Sequence, residues 1–153
     1  MGLVFSPFVN AMSRTFREMV GVELVHGPYE EMEGNEVLAD VSTNIGLSGE
    51  SRAVLLLTAD EAAALKVTKL TTGKDVAIHD KLVTDTIGEL LNVFVGAAQR
   101  HSNIKFNFSI PMAVSGKNHT ISSLFNRGRC QRVVSKMEGS EVSLYLIEGV
   151  EGT

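Results

Sequence analysis

The residues whose types could take part in chemistry lie on one face of a long helix that the sequence predicts over residues 80–100. At about 100° per residue, Asp85, Glu89 and Asn92 fall on one line, and Gly96 follows four residues later. Carboxylate and amide groups can bind a cation or hydrogen-bond a partner, but these residues form no pair of nucleophile and base. The line therefore indicates chemistry that depends on groups supplied by another molecule.

The opposite face of the same helix is apolar, as expected of a helix that packs on a core. Its members are Val83, Ile87, Leu90, Leu91, Phe94 and Ala98. On the polar side, Gly88 and Gly96 are unusual, because a glycine costs about 1 kcal/mol at a helical position. A glycine on an outward face lets another surface approach closely, which favours a docking face. A solvated polar face without function is the alternative that this pattern leaves open.

No other group of residues has the spacing of a catalytic or metal site. The four histidines are far apart and match no metal-binding pattern, and the single Cys130 can form neither an internal disulfide nor a metal site alone. Gly46 and Gly49 lie in a predicted hairpin rather than between a strand and a helix, so they do not form a phosphate-binding loop. We therefore expect the chain to have no metal and no cofactor of its own.

Length and composition are typical of one folded domain, which we place at residues 1–153. With 44% hydrophobic and 21% charged residues, the chain can bury a core, and disorder is disfavoured. The net charge of −4 argues against a nucleic-acid partner, which usually requires a basic surface. The sequence shows neither a signal-peptide pattern nor an apolar run of about 18 residues. We therefore expect a cytoplasmic protein without membrane contact.

Charge is spread unevenly along the sequence. Residues 90–137 contain no Asp or Glu. The cations of this segment are Arg100, Lys105, Lys117, Arg127, Arg129, Arg132 and Lys136. Two interpretations remain open: these cations pair with the acidic first half of the chain, or they form a mildly basic surface that attracts an acidic protein.

The order of predicted elements indicates the fold class. Ser6 and Pro7 predict the start of a first helix that ends at Gly21, and Thr58 to Glu61 matches a capping box for a second helix that ends at Gly73. Strands are predicted at 22–29, 37–47, 52–57, 104–114, 131–136 and 141–147, with a loop and a short extended piece within 118–128. We expect an α+β fold of two layers, with a mainly antiparallel sheet, helices on one face and an internal pseudo-two-fold repeat.

The long helix resembles that of a known family. Asp85, Glu89 and Asn92 match the D-x-x-x-E-x-x-N helix of the CheC/CheX/FliY phosphatases. The segments 6–11, 45–49 and 110–121 resemble further blocks of the CheX type, in the same order. By this resemblance, which covers almost the whole sequence, the chain is identified as a CheX-type member of that family.

The resemblance implies a function and a role for each site residue. It implies a phosphatase that hydrolyses the aspartyl phosphate of a phosphorylated CheY-like receiver domain. Asn92 would orient the attacking water, Glu89 would pair with a lysine of the receiver, and Asp85 would have a supporting role. Gly88 and Gly96 would contact the partner, and a divalent metal, Mg²⁺, would come with the receiver. The resemblance also implies a homodimer.

The predicted repeat limits the number of sites. When Gly21 is aligned with Gly96, Asn10, Arg14 and Arg17 take the places of Asp85, Glu89 and Asn92. Because arginines replace the motif on the first helix, we expect one site per chain. Two other functions remain open: a catalytically silent adaptor that binds a receiver or chemotaxis protein through the same helix face, and a dimerisation module in which the glycines permit a helix–helix contact.

Overall fold

A computed structural model describes residues 4–32, 39–49, 52–103, 105–115 and 129–149. Its helices are α1 (Ser6–Thr15, continued by a π-helical turn at Phe16–Val20), α2 (Glu61–Thr72) and α3 (Lys81–His101). Its strands are β1 (Val25–Met32), β2 (Val41–Gly49), β3 (Ala53–Ala59), β4 (Phe106–Phe108), β5 (Met112–Ser115), β6 (Cys130–Met137) and β7 (Ser140–Glu148). No helix in these ranges is long and apolar enough to cross a membrane.

The strands form one antiparallel sheet whose order reflects the predicted repeat. The order is β1-β6-β7-β3-β2, and β2 then pairs with both β4 and β5. The last strands of the two halves, β3 and β7, lie together at the centre, with Leu56 opposite Tyr145. The strands β2 and β6 flank them. Strand β1 lies at one edge of the sheet, and β4 and β5 lie at the other edge. The strand order is therefore symmetric between the two halves, as an internal pseudo-two-fold requires.

The helices cover one face of this sheet, which confirms the two-layer α+β architecture. Phe8 and Phe16 of the first helix share a core with Phe94 of α3 and with Leu55 and Leu57 of β3. Successive side chains of a strand point to opposite faces. Accordingly, the intervening side chain of β3 belongs to a separate cluster on the other face, whose buried members are Leu56, Cys130, Tyr145 and Ile147.

Two helix starts differ in detail from the prediction. The first helix already includes Ser6, and the residue before it, Phe5, makes no side-chain capping hydrogen bond. Asp60, rather than Thr58, caps α2, and its carboxylate accepts from the backbone N–H of Ala63 at 2.8 Å. Thr58 is unavailable as a cap because it is still part of β3, where it pairs with Ser143 of β7.

The predicted strand at 104–114 is interrupted in the structure. It forms β4 and β5, and residues 109–111 between them belong to neither strand. Pro111 gives the physical reason, since proline has no N–H to donate to a sheet ladder. The predicted loop at 118–128 and the first residues of the predicted strand at 37–47 lie outside the described residues.

Two ion pairs, which join β1 to β6 and to the residue before β6, support one of the two interpretations of the charge pattern. Arg129 lies 3.0 Å from Glu31, and Arg132 lies 3.2 Å from Glu30. Both cations belong to the basic segment, and both acids belong to the acidic first half. For these two arginines, the charge asymmetry is neutralised within the folded chain.

Candidate functional site

The helix α3 is fixed at its start and along its apolar face. Asp80 lies at its N-cap and accepts a hydrogen bond from the backbone N–H of Leu82 at 2.8 Å. All members of the predicted core face are buried, namely Val83, Ile87, Leu90, Leu91, Phe94 and Ala98. Because this face is committed to the core, the line of polar residues on the other side is held at the surface.

The polar line forms one wall of an open groove with a volume of about 790 Å³. Thr84, Asp85, Gly88, Glu89 and Asn92 line it from α3, and Thr43 of β2 lines it from the sheet. The second wall is the segment between β4 and β5, with Phe108, Ser109, Ile110 and Pro111. A groove of this size and openness can admit several side chains of a partner surface, not merely one water.

The structure brings the three polar site residues together. Asp85 and Glu89 are exposed, and Asn92 is half-buried, one helical turn further along the same groove. Among the described residues, none forms a hydrogen bond or ion pair with the side chains of Glu89 and Asn92. Both groups are therefore available to a molecule that enters the groove.

The expectation that Gly88 and Gly96 lie on an open face is wrong, because both are buried. A Cβ on residue 88 would lie 3.7 Å from Cβ of Pro111 and 3.7 Å from Oγ1 of Thr43. A Cβ on residue 96 would lie 3.9 Å from Cζ of Phe108. The physical reason is that the chain returns across α3 after the helix ends. Gly88 still lines the groove, whereas Gly96 does not, and their contact with a partner stays a prediction.

The second wall of the groove was not recognised as part of the site from the sequence. Its position is fixed by two hydrogen bonds between Ser109 and Gly46 of β2. The N–H of Gly46 donates to Oγ of Ser109 at 2.9 Å, and the N–H of Ser109 donates to the carbonyl of Gly46 at 3.0 Å. Pro111 within a strand-like pattern indicates that the strand is interrupted here, but it does not indicate that the segment packs over α3.

Thr43 places a buried hydroxyl at the floor of the groove. Its side chain is fully buried, and its Oγ1 has no hydrogen-bond partner in the described part of the chain. A buried hydroxyl without a partner costs free energy, so this position is stabilised by its packing rather than by its polar atom.

On the first helix, a histidine side chain contacts the position that corresponds to Gly88. In the repeat alignment, Ser13 takes the place of Gly88, and Nε2 of His26 hydrogen-bonds its Oγ. Nδ1 of the same ring lies 2.6 Å from Oγ of Ser135 on β6, the strand that corresponds to β2. His26 thus bridges the helix and the sheet where the site on α3 is open.

On the first helix, the residue at the place of Asn92 is an arginine whose side chain has a partner within the chain. Nε of Arg17, at the place of Asn92, donates to Oε1 of Glu23 at 2.6 Å. This hydrogen bond raises the pKa of Arg17 and lowers the pKa of Glu23. One site per chain stays a prediction. No cluster of three or more His, Cys, Asp or Glu suited to a metal ion occurs in the described ranges.

Comparison with known proteins gives a family match. The family model described as chemotaxis phosphatase CheX matches residues 41–138, which include β2, α3 and both walls of the groove. A search of curated protein sequences found no significant match.

Solved structures of similar fold include CheX proteins from several bacteria. The chemotaxis protein CheX from Vibrio vulnificus is 26% identical, with a TM-score of 0.82 over 93% of this chain and 96% of that one. CheX from a Desulfovibrio desulfuricans subspecies is 23% identical, with a TM-score of 0.83 over 94% and 97%. A CheX-CheY-BeF3-Mg²⁺ complex from Borrelia burgdorferi is 19% identical, with a TM-score of 0.75 over 95% and 97%.

Proposed function

Because this chain belongs to the family of the chemotaxis phosphatase CheX, we propose that it hydrolyses the aspartyl phosphate of a phosphorylated CheY-like receiver domain. The observation that carries this proposal is the groove on α3. There Glu89 and Asn92 lie one helical turn apart without a partner among the described residues. A receiver surface that enters the groove brings its phosphoryl group to these two side chains.

Asn92 orients the attacking water in this proposal. Its amide both donates and accepts hydrogen bonds, so it can hold one water in a fixed direction without adding charge. The oxygen of that water attacks phosphorus, and the bond between phosphorus and the aspartyl oxygen breaks. Inorganic phosphate leaves, and the aspartate carboxylate is regenerated. Phosphoryl transfer depends mainly on positioning and charge compensation, which is consistent with a site that has no nucleophile of its own.

In this proposal, Glu89 and the receiver supply the other groups that the reaction needs. The exposed carboxylate of Glu89 pairs with a lysine of the receiver, and Asp85 supports this contact from the previous turn of α3. The divalent metal, Mg²⁺, and the phosphorylated aspartate belong to the receiver. The Borrelia burgdorferi complex of CheX with CheY, BeF3 and Mg²⁺ supports the pairing of this fold with a receiver.

The proposal includes one site per chain, a homodimer that leaves α3 accessible, and a cytoplasmic setting where receivers act. The experiment that tests it follows the decay of phosphorylated receiver domains, with and without the protein. We expect faster release of inorganic phosphate with at least one receiver, and no acceleration with Asn92→Ala. If the protein binds the phosphorylated receiver without accelerating the loss of its phosphoryl group, the proposed phosphatase activity is contradicted and the adaptor is favoured.

A further inference from the structure

Ile110 is the most exposed large apolar side chain in the part of the chain that the structure describes, at 84%. A single exposed apolar residue is common on protein surfaces and needs no explanation by itself. The position of Ile110 is what distinguishes it. It lies on the wall of the groove formed by the segment between β4 and β5, and Glu89 and Asn92 line the same groove from α3.

The backbone on both sides of Ile110 is held in place. Ser109 makes the two hydrogen bonds to Gly46 described above. Pro111, which follows, has a fixed φ and packs over Gly88 on α3. The side chain of Ile110 is therefore presented from an ordered segment, and a partner that covers it incurs little cost for ordering the backbone.

We propose that Ile110 is a specificity-determining contact for the receiver, which rests on the proposed function. A receiver whose phosphoryl group reaches Asn92 must enter the groove, and its surface beside the phosphorylation site then meets Ile110. An apolar residue on that surface gains from covering Ile110, whereas a charged residue loses its hydration there without compensation. The groove thus selects receivers with an apolar patch beside the phosphorylated aspartate.

Met112 provides a matched control two residues away. It is also strongly exposed, at 69%. It pairs with Asn44 of β2, and directly opposed residues of an antiparallel pair share one face of the sheet. The neighbouring Thr43 lines the groove, so the side chains of Asn44 and Met112 belong to the opposite face. Met112, the first residue of β5, is therefore a similar apolar residue close in sequence but without access to the groove.

The test compares Ile110→Ser, Ile110→Val and Met112→Ser with one phosphorylated receiver that the wild type hydrolyses. Binding of each variant to that receiver, loaded with beryllofluoride and Mg²⁺, is measured in parallel. Loss of one buried aliphatic contact corresponds to a change of about tenfold in affinity. We expect Ile110→Ser to lower kcat/KM and affinity by about that factor, mainly through KM with kcat preserved. Ile110→Val should keep most of the wild-type value, and Met112→Ser should match the wild type.

The outcomes separate this inference from the proposed function. If Ile110→Ser behaves as the wild type, or if Met112→Ser loses as much, the inference is overturned while the function stands. If the wild type neither binds nor hydrolyses any phosphorylated receiver, the proposed function fails before any variant is considered, and the inference fails with it. Circular dichroism of each variant confirms that the fold is retained.

Discussion

Thr43 lies directly beneath Gly88, and a Cβ added to residue 88 would sit 3.7 Å from Oγ1 of Thr43. That distance and the equal distance to Cβ of Pro111 are ordinary van der Waals contacts, so the fold has room for a methyl group. Gly88 also has a helical backbone conformation without positive φ. Neither space nor backbone conformation in the described part of the chain therefore requires a glycine here, although a glycine reduces helix stability.

Gly88→Ala should therefore stabilise the fold while lowering the activity on a phosphorylated receiver. We expect the free energy of unfolding to rise by up to about 1 kcal/mol, the difference in helix propensity between the two residues. The added methyl group narrows the floor of the groove, so kcat/KM for a phosphorylated receiver should fall several-fold. Urea unfolding and phosphate-release kinetics measure the two effects. Gly96→Ala, which lies outside the groove, gives the comparison: a fall in kcat/KM that is confined to Gly88→Ala places the required space at the groove. Full activity in Gly88→Ala would show that the receiver does not need to approach α3 closely at residue 88.

Helix α3 could be predicted from the sequence because its signals are local. Its two faces differ strongly in polarity, and Asp80 provides a cap, so the predicted range of 80–100 lies within one residue of the observed Lys81–His101. The same periodicity identified the buried face and placed Asp85, Glu89 and Asn92 on one line.

The second wall of the groove could not be predicted in the same way. Helical periodicity describes one element and does not indicate which later segment will pack over it. The burial of Gly88 beneath Pro111, and of Gly96 beside Phe108, depends on the return of the chain across α3. That return is a tertiary contact between residues about 12–23 positions apart, and it lies beyond the reach of any local pattern.

Asn92→Ala tests the chemistry most directly. We expect receiver dephosphorylation to fall by about 100-fold or more, because the attacking water loses its fixed direction. The free energy of unfolding should change by less than about 1 kcal/mol, since Asn92 is only half-buried and alanine favours the helix. Affinity for a beryllofluoride-loaded receiver should change much less than turnover. Near wild-type turnover would contradict the role of Asn92 and favour the adaptor.

Glu89→Gln should give a different kinetic signature. Removal of the charge leaves the receiver lysine without its partner, so association should weaken together with the rate. Because Glu89 is exposed, its attraction is screened by salt, and the dependence of affinity on ionic strength should become flatter in the variant. Titration of the loaded receiver at two salt concentrations measures this change. An unchanged salt dependence would show that Glu89 forms no charge pair in the complex.

His26 offers a prediction on stability that is independent of the function. Its ring bridges Ser13 of the first helix and Ser135 of β6, and burial lowers its pKa below the ordinary value. The unfolded chain therefore binds more protons at this residue than the folded chain around and below pH 6.5. The stabilisation from neutral His26 is fully present above that pH and is lost as the pH falls through the folded pKa.

His26→Gln should therefore weaken the dependence of stability on pH. Between pH 7.5 and pH 5.5 we expect the free energy of unfolding of the wild type to decrease more than that of His26→Gln, because the variant has no ring to protonate. Glu23, whose pKa is lowered from 4.5 by Arg17, titrates below this window and affects both proteins equally. Urea unfolding at the two pH values gives the comparison. Equal decreases in the wild type and His26→Gln would show that desolvation of this ring does not reduce stability at acidic pH.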